Sequence, residues 1–309
     1  MLKTGVQSAG WYDRNKPLES FEYIKSCGFE AVDFNIDHYF STAKAVKDGL
    51  YPTVFDNPTD EVLEFFRPLK EASEKTGVAI CQMHAPFPVW FKDHDDVNDY
   101  TVMVLDKCFA VCEFVSCPAI VVHPVSRSTR ETEWETNLAI YRRLIPLIRK
   151  YKNVKICLEN IFTRRANRII EGRLSNVGEA ANMIDLLNEE AGGDYFGFCL
   201  DVGHANLTNR NIKETVKSLG KRLTILHIHD NNGLDDMHMI PYSYLTTPQV
   251  HVCDWQGFVE GLREIGYPGV LCFETFRIVS AYPAAVHTEA LKLISAIGRY
   301  WAQTIDDPE

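Results

Sequence analysis

The stretch LTILHIHDNNG (223–233) begins as an apolar run and then places His227 and His229 two residues apart. Continuous apolar content, rather than alternation, marks a parallel strand buried on both faces. Residues two apart on a strand point to the same side, so both imidazoles face one interior, with His229 a step nearer the strand's C-terminal end. Seven further short runs are rich in β-branched and apolar residues, most of them continuous in the same way: KTGVQSAG (3–10), AVDFNID (31–37), VAICQMHAP (78–86), AIVVHP (119–124), VKICLEN (154–160), FGFCLDVGH (196–204) and GVLCFETF (269–276).

The segments between these runs have helical period and recognisable ends. PLESFEYIKSCG stops at Gly28, DEVLEFFRPLKEASEKTG at Gly77, NVGEAANMIDLLNEEAG at Gly192, NIKETVKSLG at Gly220 and DWQGFVEGLREIG at Gly266. Glycine just past a helix takes the left-handed conformation cheaply, so each reads as a stop signal. Asn176 followed by Glu179 resembles a capping-box start, and a last helix is expected around 284–304. Eight strands alternating with helices over 309 residues is the count for an α/β fold of the (β/α)8 TIM-barrel kind. No composition break divides the chain, so a single domain over 1–309 is expected; a doubly wound sheet with an added domain is the alternative.

The formal charge of −10 repels a phosphate backbone on average, which counts against nucleic acid as a partner. Nine cysteines, an odd number without a C-x-x-C pair, are scattered, and several, including Cys81, Cys157, Cys199 and Cys272, lie inside apolar runs, where a reduced thiol acts as a small hydrophobe. No segment approaches 18 uninterrupted apolar residues and the N-terminus lacks an apolar signal region, so a cytoplasmic protein without membrane contact is expected. A homo-oligomer is compatible with the sequence, which does not fix the oligomeric state.

In a TIM barrel the chemistry sits at the C-terminal ends of the strands. The last residues of the runs are His84, His123, Glu159 with Asn160, Asp201 with His204, His227 with His229, and Glu274. Taken singly, each histidine also reads as a hydrogen-bonded core or rim residue and each glutamate as a salt-bridge partner. The collective pattern argues otherwise, because several carboxylates near one axis are expensive to bury unless a cation or protons compensate. Such a mixture suits a divalent ion of the manganese, zinc, cobalt or iron kind.

The motifs QMHAPF, VVHPV, CLEN, CLDVGHAN, LHIHDNNG and CFET, in this order, resemble those of the xylose isomerase-like TIM-barrel superfamily. It holds sugar isomerases and epimerases, inosose dehydratase-like enzymes and the endonuclease IV branch. The resemblance implies one divalent metal held by Glu159, Asp201, His229 and Glu274, with Glu159 and Glu274 also serving as the acid/base pair for proton transfer through an enediolate. It places His227 in a supporting layer beneath the metal, beside Asn160. The endonuclease IV branch implies instead about three zinc ions and a phosphodiester substrate, with further ligands matching His84, His123, His204, Asp236 and His238. In sugar-directed members the first three positions also occur, and the Asp236-Met237-His238 triplet reads equally as a polar loop. Two departures count against a free-ketose 3-epimerase: no second glutamate follows Glu159 in ENIFTRR, and no arginine follows His229 in HDNNGLDDMH. A dehydratase would use the same site.

The loop expected after the fifth strand, IFTRRANRIIEGRLS, carries Arg164, Arg165, Arg168 and Arg173, and Arg127 follows VVHPVS. It reads as a solvated loop, or as a place where Arg127 and Arg164 contact an anionic sugar derivative bidentately. Aromatic residues in the expected loops, Trp11, Tyr12, Phe87, Trp90, Phe91, Tyr242 and Tyr244, suit the apolar faces of a small carbohydrate. Acidic residues follow the rings in APFPVWFKDHDDVND, which disfavours a duplex.

Overall fold

The computed structural model describes residues 1–126, 129–166, 168–245, 247 and 252–307. All eight expected strands form, as β1 (Thr4–Gln7), β2 (Ala31–Asn35), β3 (Ala79–His84), β4 (Ala119–Val121), β5 (Lys155–Glu159), β8 (Phe196–Asp201), β9 (Leu223–His227) and β10 (Leu271–Phe273). They pair in parallel in the order β10-β1-β2-β3-β4-β5-β8-β9. Between β9 and β10 the ring is completed by the Ile228–Phe273 bridge, in which Ile228 N donates to Cys272 O at 3.0 Å and Glu274 N to Ile228 O at 2.9 Å. The fold is a (β/α)8 TIM barrel, and its closing hydrogen bonds flank His229 and Glu274.

Helices clothe the barrel because their apolar residues recur at the period of one face. In Asp95–Phe114 the buried positions include Val97, Val104, Leu105, Cys108, Val111 and Cys112. The closing helix His287–Asp306 buries Leu291, Ile294 and Trp301. Gly77, Gly192 and Gly266 take left-handed conformations at helix ends as expected, while Gly220 leads into a turn of 3-10 helix. Asn176 caps Val177–Ala191 by accepting from Gly178 N and Glu179 N. All nine cysteines are buried and free, as the reduced reading requires. Among the described residues no helix is long and apolar enough to cross a membrane.

Two expectations need correcting. The segment read as one helix ending at Gly77 is two, Thr59–Phe65 and Arg67–Thr76, broken at Phe66. Pro68 lacks an N–H and crowds the preceding turn, so it is accommodated in the first turn of a new helix. The arginine-bearing segment after β5 is not a plain loop but an antiparallel hairpin, β6 (Phe162–Arg165) with β7 (Arg168–Glu171), in which Thr163 faces Ile170 and Arg164 faces Ile169. The β-branched residues within the charged stretch carry that pairing.

Candidate metal centre

Strand register brings the polar residues together. Asn35 pairs with His84, Glu159 with Cys199, and Asp201 with His227. A shift between Val32 and Asp33 sets Asp33 beside Gln82, the kind of local irregularity that re-aims a side chain. Glu159, Asp201, His204, His227, His229, His238, His84 and Glu274 are all buried, Asp236 and His123 partly so.

The contacts form one continuous network. His229 Nε2 lies 3.1 Å from Asp201 and 3.7 Å from Asp236. His123 Nε2 is 2.9 Å from Glu159, and His204 Nδ1 is 3.3 Å from the same carboxylate. His227 sits lower, its Nδ1 against both Glu159 at 3.6 Å and Glu274 at 3.5 Å, its Nε2 3.6 Å from Asp33. Asn160 ties β5 to β8: its amide donates to Asp201 O and its carbonyl accepts from Asp201 N, both at 2.8 Å.

Five groupings of the described residues bring potential ligand atoms within 4.8 Å of one another: Glu159, Asp201 and His204; Asp201, His227 and Glu274; His204, His229, Asp236 and His238; Asp33, His84 and His227; and Glu159, Cys199 and His227. No grouping of the described residues holds the expected quartet of Glu159, Asp201, His229 and Glu274: Glu159 and Glu274 each group with Asp201, whereas His229 groups with His204, Asp236 and His238 and reaches Asp201 at 3.1 Å; the Asp236-x-His238 triplet points inward to meet His204 and His229 rather than lying as a free polar loop. The tract Asp230–Gly233 builds that loop. Asp230 and Met239 exchange backbone hydrogen bonds of 2.8 and 3.0 Å, and the buried Asn231 amide donates to Gly203 O while its carbonyl accepts from Asn206, each at 2.8 Å.

The histidines are oriented for coordination. His204 Nδ1 lies 2.9 Å from the carbonyl of Asn160 and His238 Nδ1 2.9 Å from that of Glu274; a carbonyl only accepts, so each Nδ1 carries a proton, and a ring in its neutral form has its lone pair at Nε2. Both Nε2 atoms face Asp236, at 3.5 and 3.1 Å. His84 repeats the device with Asp33, 3.0 Å from Nδ1, leaving Nε2 3.4 Å from Glu274. Anchoring one nitrogen to fix the other is what metal sites require of imidazoles.

Electrostatics are consistent with a cation. Burial works against ionisation of Glu159, yet the imidazoles of His123 and His227 hold its carboxyl well below the usual range. Glu274 is likewise buried and lowered, by His227 and His238. Burial disfavours a proton on His84 and His204, but Asp33 and Asp201 respectively outweigh it and raise both. Both ring nitrogens of His227, Nδ1 of His229 and Oδ1 of Asp236 are buried without a hydrogen-bond partner among the described residues. Unsatisfied atoms of this kind in a native interior call for an ion or protons. Donor types, orientation and orphaned atoms therefore fit a divalent metal.

The family described as xylose isomerase-like TIM barrel matches residues 21–297. The chain belongs to that family. An uncharacterized protein, y4fM, of Sinorhizobium fredii (strain NBRC 101917 / NGR234) is 23% identical over 300 residues, covering 92% of this chain and 90% of that protein. A D-tagatose 3-epimerase-like protein superposes with a TM-score of 0.69 at 21% identity, over 99% of this chain and 98% of its own. The IOLI protein, solved with a zinc atom, gives 0.61 at 17% identity over 98% of each chain. These likenesses establish the family fold and no more.

Sequence reasoning missed Asp33, Gln7 and Gln82. Gln7 Nε2 donates to Glu274 at 2.8 Å and Gln82 Nε2 to Asp33 at 3.1 Å. It also missed two of the rings that border the site, Phe162 against His204 at 5.1 Å and Phe276 against His238 at 4.4 Å; Phe87, against His123 at 4.8 Å, was anticipated. Trp11 and Tyr242 serve packing instead: Trp11 is buried edge-on to His287, and Tyr242 accepts from Trp301 Nε1 at 2.9 Å. Arg127 lies outside the described residues. Arg164 stands on the hairpin, paired with Asp235 at 2.9 Å.

Proposed function

We propose that this chain is a divalent-metal-dependent isomerase or epimerase of a small sugar or sugar derivative. One observation carries the reading: two buried glutamates from strands distant in sequence, Glu159 and Glu274, lie against the same ring nitrogen of His227, close enough to bracket one small substrate. Glu159, Asp201, His229 and Glu274 would hold the ion. When bound, it polarises the carbonyl and hydroxyl of a polyhydroxy substrate and so acidifies the adjacent C–H.

The chain's own residues do the rest. An ionised glutamate removes the proton next to the carbonyl, and the charge of the enediolate so formed is offset by hydrogen bonds from neighbouring N–H groups. If the second glutamate returns the proton on the opposite face, the centre is epimerised; if the first carries it to the neighbouring carbon, the carbonyl moves. Loss of a hydroxyl from the same enediolate would make the enzyme a dehydratase. His84 and His123, at the barrel mouth, would hydrogen-bond substrate hydroxyls, and Phe87, Phe162 and Phe276, which border the site, would serve as apolar walls for C–H faces. The likeness to a D-tagatose 3-epimerase-like protein supports the reaction class, and the zinc in the IOLI protein supports the metal.

The test is exchange of carbon-bound substrate hydrogen for solvent deuterium across a panel of sugars and sugar phosphates. We expect exchange in the metal-loaded protein and a loss of about 10²–10⁴-fold in Glu159→Gln and Glu274→Gln. No exchange with any member of the panel would overturn the reading.

The inward Asp236-x-His238 triplet favours one second reading, a multi-zinc phosphodiesterase of the endonuclease IV type. It requires about three ions per chain and cleavage of an abasic oligonucleotide. Fewer than about two ions, or an intact oligonucleotide, would rule it out.

A further inference from the structure

The β6–β7 hairpin supplies none of the proposed ligands, yet it stands at the rim of the site. Phe162 opens it with a ring set edge-on to His204. Arg164 folds back so that its guanidinium lies 5.6 Å from the centre of that ring and bonds Asp235, the neighbour of Asp236. At this hairpin opens a cleft of about 630 Å³ whose lining includes Thr163, Arg164, Arg165 and Arg130.

Three features make the cleft suited to an anion. Arg165 faces Arg168 directly across the strand pair, an arrangement of like charges that costs stability unless something offsets it. Arg165 forms no ion pair among the described residues. The acidic side chains of the cleft have basic neighbours: Glu171 is held by Arg130 at 2.6 Å and by Arg210, and Glu133 has Arg173 close by. Concentrating guanidinium groups in one place on a chain of charge −10 is the reverse of its average surface.

Arg164 is also cheaply redirected. Its pair with Asp235 is solvent-exposed, with 47% and 61% of the two side chains accessible. Exposed pairs of that kind contribute little to stability, whereas a guanidinium fork on a phosphate or carboxylate makes two parallel charge-assisted bonds.

We propose that the β6–β7 hairpin is an anion subsite in which Arg164 and Arg165 hold a phosphate or carboxylate group of the substrate, remote from the carbons that react between Glu159 and Glu274. The proposal rests on the isomerase or epimerase reading and narrows it to anionic sugar derivatives. Deuterium exchange on the metal-loaded full chain tests it, using matched neutral sugars, their terminal phosphates and their uronates. We expect kcat/KM to favour one anionic class over the neutral sugar by about tenfold or more, and the double variant R164Q/R165Q to erase that preference. Which class is preferred separates phosphate from carboxylate. A preference for neutral sugars, or an anionic preference that survives in R164Q/R165Q, overturns the subsite.

If no sugar exchanges at all, the function reading fails and the subsite is judged by calorimetry with inorganic phosphate. Binding about tenfold weaker in R164Q/R165Q supports it, since any contribution from bound metal is common to both proteins, and equal binding refutes it.

Discussion

Asp33 is a fully buried carboxylate with no lysine or arginine partner among the described residues, on a strand that carries none of the four proposed ligands. Its oxygens meet His84 at 3.0 Å, Gln82 at 3.1 Å and His227 at 3.6 Å, so it sets two imidazoles that face Glu159 and Glu274. Asp33→Asn keeps the shape but allows the amide to turn its donor towards His84, favouring the wrong tautomer. Such supporting groups typically change activity or metal affinity by about 10–100-fold, and that loss is expected in turnover and in metal titration while the far-UV spectrum is unchanged. The same position shows why the site was only partly legible. Glu159, Asp201, His229 and Glu274 stand where continuous apolar runs stop, and that break in pattern is visible along the chain. Asp33 sits within AVDFNID, where polar and apolar residues alternate anyway, so nothing marks it until the register shift beside Val32 turns it inward.

At the scale of elements, the helix Val202–Leu207 and the loop from Asp230 to Ser243 act as one unit, joined by the Asn206–Asn231 bond and carrying His204, Asp236 and His238 between them. Gly203 is where they meet His229: a Cβ there would fall 2.0 Å from the imidazole Cε1 and 2.5 Å from each ring nitrogen. Gly203→Ala must therefore push His229 away from Asp201. We expect metal affinity to fall by about tenfold or more, with a stability loss of about 1–3 kcal/mol from overpacking; isothermal titration and urea unfolding measure the two separately. Unchanged metal affinity would show that His229 is not a ligand. The eight strands were readable because each is short, apolar and bounded by glycine or polar turns. The hairpin after β5 was not, because its arginines mask the β-branched residues that pair. The triplet's inward turn depends on hydrogen bonds from Asp230 and Asn231 that no local pattern announces.

The whole molecule surrounds its axis with buried carboxylates and balances them, without metal, by protons on histidines. His238 illustrates the sign. Burial works against its proton, but Glu274 and Asp236 raise its pKa from 6.5 to about 9; His84, His204 and His227 shift the same way. A proton held more tightly by the folded than by the unfolded chain stabilises the fold fully below the unfolded value near 6.5, and that contribution disappears as pH rises through about 9. For His238 alone it amounts to about 3 kcal/mol. Thermal unfolding of chelator-treated protein should therefore show Tm falling between about pH 7 and pH 10, whereas metal-loaded protein should hold its Tm, because coordination needs the neutral rings. A metal-free Tm that rose over this range would contradict the charge balance described.

The central claim, that these buried side chains form a metal centre, is tested most directly by elemental analysis of the purified chain before and after incubation with manganese, zinc or cobalt and gel filtration. The account predicts about one or more tightly held divalent ions per chain, removed by chelation at acid pH and restored at neutral pH. A chain that retains essentially no ion under any of these conditions would contradict it.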